Sequence, residues 1–476
     1  MDRPNICFIN TDQQTWDAIS AYGNPWLHTP NIDRLAEQGH NFMRAYSTDP
    51  VCAPARSSWA TGLFSSETGV PFNGGHMHAD IPDLGQLLRA GGYRACHAGK
   101  WHVEGRDVRE SFETLSFGKR AIGAGGAEFY DPVTTRAALD FLAHQDGSRP
   151  FFLQIGLVNP HDVCECGHAH VYTAIPDPVA LGLLDADDLP PLPKSFRYDK
   201  CETVVQQVMR RGEDPIIHAP IMRAAASWDE CRWRTLAWQL YRFVEQVDAE
   251  IGLILDALAA SPVADGTLII FSVDHGEAAG RHAMIQKFTL YEESIRTPFI
   301  VAELGSRFGI RKGRRDHEHL ISGVDLLPTV LDYAGIKPPI HCRGRSLRPL
   351  VEGRDVDWRE QAYVEGNVWG RALVGRRWKY ITEYRPRVGE VTPPGPEPSR
   401  LGREQLFDLD GDPEETCNLA GLPEHAGLLA ARRAALLAQE ARLHRRPLAT
   451  DGARACMDDW GRRVLDGWRS GGMNGR

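Results

Sequence analysis

The chain has 476 residues, with Lys+Arg 54 against Asp+Glu 63 and a net charge of −9. Apolar residues make up 42% and charged residues 25%, a balance that excludes a disordered or fibrous chain. The acidic surplus gives no overall electrostatic reason to bind nucleic acid or an anionic membrane, and no apolar run approaches the ~18 residues of a spanning helix. The opening MDRPNICFINTDQQ lacks the basic, apolar and small-residue sections of a secretory signal. The sequence as it stands therefore predicts a cytoplasmic protein, or a periplasmic one if a leader precedes it. Ten cysteines are scattered without a CxxC pair, so reduced thiols are the expectation.

In chain order, short apolar runs end abruptly in chemically capable residues. Residues 5–10 (NICFIN) run into Asp12 and Gln13, and a helix is predicted over 29–38. Cys52-Ala53-Pro54-Ala55-Arg56 opens another helix, because Pro54 fits a first turn and places Cys52 near the start. Residues 93–98 lead into Gly99-Lys100-Trp101-His102, and 151–158 (FFLQIGLV) stop at Asn159-Pro160-His161. A Pro- and Asp-rich excursion follows over 165–230, where it would cover the active face, and then a long helix over 236–259. Residues 267–273 (TLIIFSV) stop at Asp274-His275. Beyond about 345, strand-like runs appear at 362–364, 371–374, 378–382 and 405–408, followed by an Ala/Leu/Arg-rich helix over 423–445.

This alternation predicts an α/β fold. A large α/β/α sandwich with a mixed, mostly parallel sheet would occupy residues 1–345. A small C-terminal antiparallel sheet with a helix would occupy 346–476. Ligands bind beyond the carboxyl ends of the strands in such sheets, so four strand ends bearing Asp, Lys and His point to one site.

Asp12, Gln13, Asp274 and His275 form an oxygen-rich set that suits Ca²⁺, Mg²⁺ or Mn²⁺, although each Asp could simply cap a turn. A helix start favours anions, and Arg56 adds a fork for oxyanions. Cys52 is there either a low-pKa nucleophile or a buried structural thiol. Cys164-Glu165-Cys166-Gly167-His168-Ala169-His170 carries soft ligands at a spacing foreign to structural zinc, and is read as a loop bordering the pocket. The polar loop 73–78 carries two histidines, read as solvated or as substrate contacts. The run 311–315 (RKGRR) is read as a solvated loop, and Trp16, Trp26 and Trp369 as core or rim packing.

CAPAR followed by SSWATG resembles the CxPxR…TG signature of the type I (formylglycine-dependent) sulfatase family, in the alkaline phosphatase superfamily. NICFINTDQ, GYRACHAGKWH, SVDHGEAAGRHAMIQK, VDLLPTVLDYAGI and LFDLDGDPEETCNLA resemble further markers of that family in the same order. The resemblance implies that a formylglycine-generating maturase oxidises Cys52 to 3-oxoalanine (formylglycine), whose hydrated aldehyde is the nucleophile. It implies that Asp12, Asp274, His275 and modified Cys52 ligate one divalent metal, Ca²⁺ first with Mg²⁺ or Mn²⁺ as alternatives. Gln13 joins them where many relatives carry a second Asp. Ala55 stands where Ser is more familiar.

The same resemblance implies roles for Cys52, Arg56, Lys100, His102, His161 and Lys287 in catalysis, with Arg56, Lys100, His161, His282 and Lys287 against the substrate. His102 is the candidate base, and His161 or Lys287 the general acid. The implied reaction is hydrolysis of a sulfate monoester, a small molecule or an oligosaccharide, with a sulfated carbohydrate favoured. Two alternatives remain: a phosphonate monoester or phosphodiester hydrolase, and a silent ligand-binding protein with unmodified Cys52.

Overall fold

The computed structural model of the chain describes residues 3–116, 126–167, 178–197, 202–212, 219–366, 370–385, 395–448, 455 and 462. Its strands in chain order begin with β1 (Asn5–Asp12), β2 (Gly39–Phe42), β3 (Ala45–Tyr46), β4 (Arg94–Gly99), β5 (Glu113–Ser116), β6 (Phe151–Pro160) and β7 (Thr267–Val273). They continue with β8 (Arg296–Thr297), β9 (Phe299–Glu303), β10 (Arg314–Asp316), β11 (Ile321–Ser322), β12 (Gln361–Gly366), β13 (Gly370–Gly375), β14 (Trp378–Tyr384) and β15 (Leu401–Asp408).

Every residue of β1, β6 and β7 is buried, which is why these segments read as unbroken apolar runs instead of alternating ones. They form the middle of an eight-stranded sheet of order β10-β2-β9-β7-β1-β6-β4-β5. The neighbours β7, β1, β6, β4 and β5 are all parallel, while β9 runs against both β7 and β2. The sheet is thus mixed and mostly parallel, as the alternating pattern predicts.

One face is covered by helices Pro30–Gln38, Ala127–Ala143 and Glu230–Ala260, whose apolar residues pack on Cys7, Ile9, Leu153, Ile155, Ile269 and Phe271. The other face carries the helices Cys52–Thr61, Leu84–Ala90 and Leu326–Tyr333 against Ile6, Phe8, Phe152, Leu268 and Ile270. Each such buried aliphatic or aromatic side chain contributes about 1.5–3 kcal/mol. The basic run at 311–315 is exposed loop through Gly313, as expected, and its last two residues enter edge strand β10, parallel to β2.

The C-terminal strands β12-β13-β14-β15 form an antiparallel sheet, buried on both faces. Ala362, Val364, Ala372, Val374, Ile381 and Phe407 point at Tyr46, Leu290, Tyr291 and Ile295 of the larger layer. The alternate residues Tyr363, Leu373, Tyr380 and Leu406 meet Leu429 and Leu436 of helix Ala426–Glu440. This is the period-2 pattern of a strand with two apolar neighbours. Within the excursion, Val204, Val205, Val208, Ile221 and Met222 pack on Ala278, Ala279, Met284, Ile285 and Phe288. The excursion therefore braces the loop that carries Lys287.

Candidate active site

The carboxyl ends of four adjacent strands meet at one place. β1 ends in Asp12 and Gln13, β4 in Gly99 ahead of Lys100 and His102, β6 in Pro160 ahead of His161, and β7 ahead of Asp274 and His275. Gly99 is required there: its φ is +88°, and a Cβ would lie 2.1 Å from the Gly156 carbonyl oxygen on β6. Gly276 is required for the same kind of reason, because a Cβ would lie 1.9 Å from the Glu293 carbonyl oxygen.

Opposite these strand ends sits the start of helix Cys52–Thr61, of which every residue is buried. Cys52 is its first residue and Pro54 stands in its first turn, as the sequence predicts. The Ala53 amide is satisfied by Asn73 Oδ1 at 3.0 Å, so a distant loop does the work of a cap. Cys52 Sγ lies 3.2 Å from His275 Nε2 and 3.7 Å from Asp12 Oδ1. Ligand atoms of Asp12, Cys52, Asp274 and His275 all lie within 4.8 Å of one another. Two carboxylates and an imidazole converging on the position-52 side chain form a hard, oxygen-rich donor set that fits one divalent cation. Sγ marks where an oxygen of a modified residue 52 would stand.

Cations crowd the same spot. Lys100 Nζ is 2.7 Å from Asp12 Oδ2. Lys287 Nζ is 3.5 Å from Cys52 Sγ and 3.2 Å from His161 Nε2, and it donates to Gln13 Oε1. Burial would raise the Asp12 carboxyl, but Lys100, His161, Arg56 and His275 hold it well below the usual carboxylate range. Burial and Asp12 likewise oppose ionisation of Cys52, yet Lys287, Lys100 and His275 bring the thiol well below its ordinary value. Burial, Lys287 and Lys100 push the His161 imidazole down to about 4. For His102, burial is outweighed by Cys52 and Glu104, and its pKa rises.

The structure therefore brings together Asp12, Gln13, Cys52, Arg56, Lys100, His102, His161, Asp274, His275 and Lys287. Arg56, expected against a substrate oxyanion, instead lies beneath the carboxylates. Its Nε donates to Asp274 Oδ2 at 2.8 Å, and the terminal nitrogens donate to Asp12 Oδ2 at 3.1 Å, Asn10 Oδ1 at 3.1 Å and the Lys100 carbonyl at 3.2 Å. With its fork spent on the protein, Arg56 braces the metal-type carboxylates.

His282 is corrected outright. Its Nδ1 lies 2.8 Å from Glu293 Oε1, its Nε2 is 3.3 Å from the Glu415 carbonyl, and its ring stacks on Tyr291 at 3.7 Å between centroids. It is a buried tie between the Lys287 loop and the C-terminal segment, turned away by a left-handed backbone with φ +53°. His282→Ala is expected to cost about 3 kcal/mol in a denaturant titration, because Glu293 loses its buried partner. Sulfate-ester KM should barely move, whereas a pocket-lining histidine would show the reverse.

Two acidic residues at the site escaped sequence reading. Glu277 lies two residues beyond His275 and accepts from Gln13 Nε2. Glu104 lies two residues beyond His102, with Oε1 3.5 Å from His102 Nε2. Their proximity to motif residues was the available signal. Cys164 borders the site, its Sγ 3.3 Å from Gln13 Nε2, while His168, His170 and Trp369 lie outside the described residues. No helix among the described residues is long and apolar enough to cross a membrane.

Comparison with known proteins is consistent with this geometry. The sulfatase family model matches residues 4–336. A Delta 4,5-hexuronate-2-O-sulfatase of Bacteroides thetaiotaomicron is 28% identical over 467 residues, covering 91% of this chain and 88% of its own. The solved structure of a 2-O GAG sulfatase is similar with a TM-score of 0.72 at 26% identity, covering 98% of this chain and 94% of its own. A phosphonate monoester hydrolase of Agrobacterium radiobacter shares the fold, with a TM-score of 0.74 at 23% identity over 92% of this chain and 96% of its own.

Proposed function

The chain belongs to the sulfatase family and is a sulfuric ester hydrolase, and we propose that it cleaves a sulfate monoester of a carbohydrate with a formylglycine made from Cys52. We assign the chemistry to residues 1–345 and a supporting role to 346–476. The observation that carries the reading is Cys52 at the start of a buried helix, 3.2 Å from His275 Nε2 and 3.5 Å from Lys287 Nζ. Asp12, Gln13, Asp274, His275 and residue 52 would hold one divalent cation, Ca²⁺ first, with Mg²⁺ or Mn²⁺ as alternatives. When bound, that cation supplies Lewis-acid charge at a sulfate oxygen, and formylglycine supplies the hydrated aldehyde that attacks.

The chain's own residues do the rest. Lys287 Nζ, between residue 52 and His161, holds a sulfate oxygen by charge-assisted hydrogen bonding. Lys100 and Arg56 keep Asp12 ionised and in place. His102 takes a proton from the side chain at position 52, and its electrostatic coupling to Cys52 and Glu104 suits it to that exchange. His161 is neutral at rest, its imidazole pushed down to about 4, and Nε2 passes to the leaving oxygen the proton it takes from the Lys287 ammonium 3.2 Å away.

The carbohydrate preference draws on the relatives, which act on hexuronate 2-O-sulfate and on GAG 2-O-sulfate by their names. A panel of sulfated mono- and disaccharides, assayed beside an aryl sulfate with chain co-produced with the maturase, tests it. Activity confined to the aryl ester would discard the carbohydrate. A second reading, a phosphonate monoester or phosphodiester hydrolase, draws on the fold shared with a phosphonate monoester hydrolase. Sulfate turnover negligible beside phosphorus esters in the same assay would establish that reading instead.

His161→Ala is expected to lower kcat by about 10²–10⁴-fold on a sugar sulfate, whose alkoxide leaves poorly. On an aryl sulfate with an acidic phenol the loss should be far smaller. Equal losses on both esters would remove His161 from proton donation.

A further inference from the structure

An amide at position 13 raises a problem that a carboxylate would not. A carboxylate offers oxygen whichever way it turns, whereas a glutamine amide turned over presents an NH₂ group, which cannot ligate a cation. The surroundings of Gln13 resolve it. On one side its Nε2 donates to Glu277 Oε2. On the other its Oε1 accepts from Lys287 Nζ, an ammonium that lies 3.5 Å from Cys52 Sγ. An ionised carboxylate only accepts and an ammonium only donates, so the two neighbours permit one orientation, with the amide oxygen turned to the Cys52 side.

Glu277 is itself locked. It is 1% exposed, and its Oε1 accepts from the Ala279 amide at 3.1 Å and from the Gln286 amide. The second of these bonds anchors a segment with left-handed backbone at Gln286 (φ 66°) and Phe288 (φ 81°), which flank Lys287. One buried carboxylate thus holds both the amide at position 13 and the loop that carries its opposing ammonium.

We propose that Glu277 is a positioning residue for the metal site, orienting Gln13 so that its amide oxygen, and not its nitrogen, is presented to the cation. The inference rests on the metal reading given above.

The test is calorimetric titration of Ca²⁺, and separately Mn²⁺, into the metal-stripped full-length chain. Glu277→Gln should weaken binding at least about tenfold, as loss of a partner behind a metal ligand does. In a Gln13→Ala background the same substitution should leave the affinity unchanged, because no amide remains to orient. In a Gln13→Asp background it should hold or raise the affinity, since a carboxylate has no wrong face and Glu277 then only repels it. An equal loss in the wild-type and Gln13→Ala backgrounds would reduce Glu277 to an anchor of the Lys287 loop and overturn the proposal, as would no loss in the wild-type background. If Glu277→Gln alone does not fold, the Gln13→Asp pair decides, a loss of affinity there counting against the proposal. A wild-type chain that takes up neither cation overturns the metal reading itself, and this outcome is distinct from all the others.

Discussion

Replacing Cys52 by alanine is expected to lower sulfate-ester turnover by on the order of 10⁶-fold, the loss that would follow removal of the proposed nucleophile from an otherwise intact site. The chain should remain folded. Cys52 is 1% exposed and small, and the substitution leaves the helix start, Pro54 and the Asn73 contact to Ala53 untouched. The loss is so large because everything near Sγ is arranged around that one atom: His275 Nε2 at 3.2 Å, Lys287 Nζ at 3.5 Å and Asp12 Oδ1 at 3.7 Å. Without it the cations and carboxylates hold a substrate against nothing that can attack. Mass spectrometry of the peptide containing residue 52 adds the chemical half of the test. Active wild-type chain should carry the aldehyde or its hydrate there, and full activity with a thiol at every copy would exclude formylglycine chemistry. An inactive wild-type chain with an intact thiol would favour the silent binding protein.

The parts of this site that can be read along the chain are those written locally. Asp12, Lys100, His161 and Asp274 each follow an apolar run that is buried because it lies in the middle of the sheet. Their convergence follows from the rule that parallel strands end on one edge. The four C-terminal strands were equally legible, though each proves longer by one to four residues at one end or both. What could not be read is pairing across long separations. Arg56 as a type suits an oxyanion, and only the fold reveals that Asp12 and Asp274 already occupy its fork. His282 stands five positions before Lys287, which suggests a shared pocket, yet a left-handed turn sends its ring to Glu293 and Tyr291. Glu277 meets Gln13 across 264 positions, a contact that no local pattern contains.

Asp12→Asn should do two separable things, and separating them reveals what the carboxylate is for. Its Oδ2 takes Lys100 Nζ at 2.7 Å and an Arg56 terminal nitrogen at 3.1 Å, and its Oδ1 faces Cys52, His161 and His275 at 3.7–3.8 Å. The amide keeps the shape and removes the charge. Arg56 retains Asp274, but Lys100, fully buried, loses the one carboxylate within 4 Å of it among the described residues. An ammonium left uncompensated in that position costs about 3–5 kcal/mol, which a denaturant titration of the metal-stripped chain would register. Turnover should fall as well, by at least about 10²-fold, because the proposed cation would lose a charged ligand. The double variant Asp12→Asn/Lys100→Met discriminates between the two effects. Removing the orphaned ammonium should return most of the stability without returning activity, since the proposed metal ligand would still be missing. If stability does not recover, Lys100 is not the charge that Asp12 compensates. If activity recovers with it, the Asp12 carboxylate serves the fold and not the chemistry.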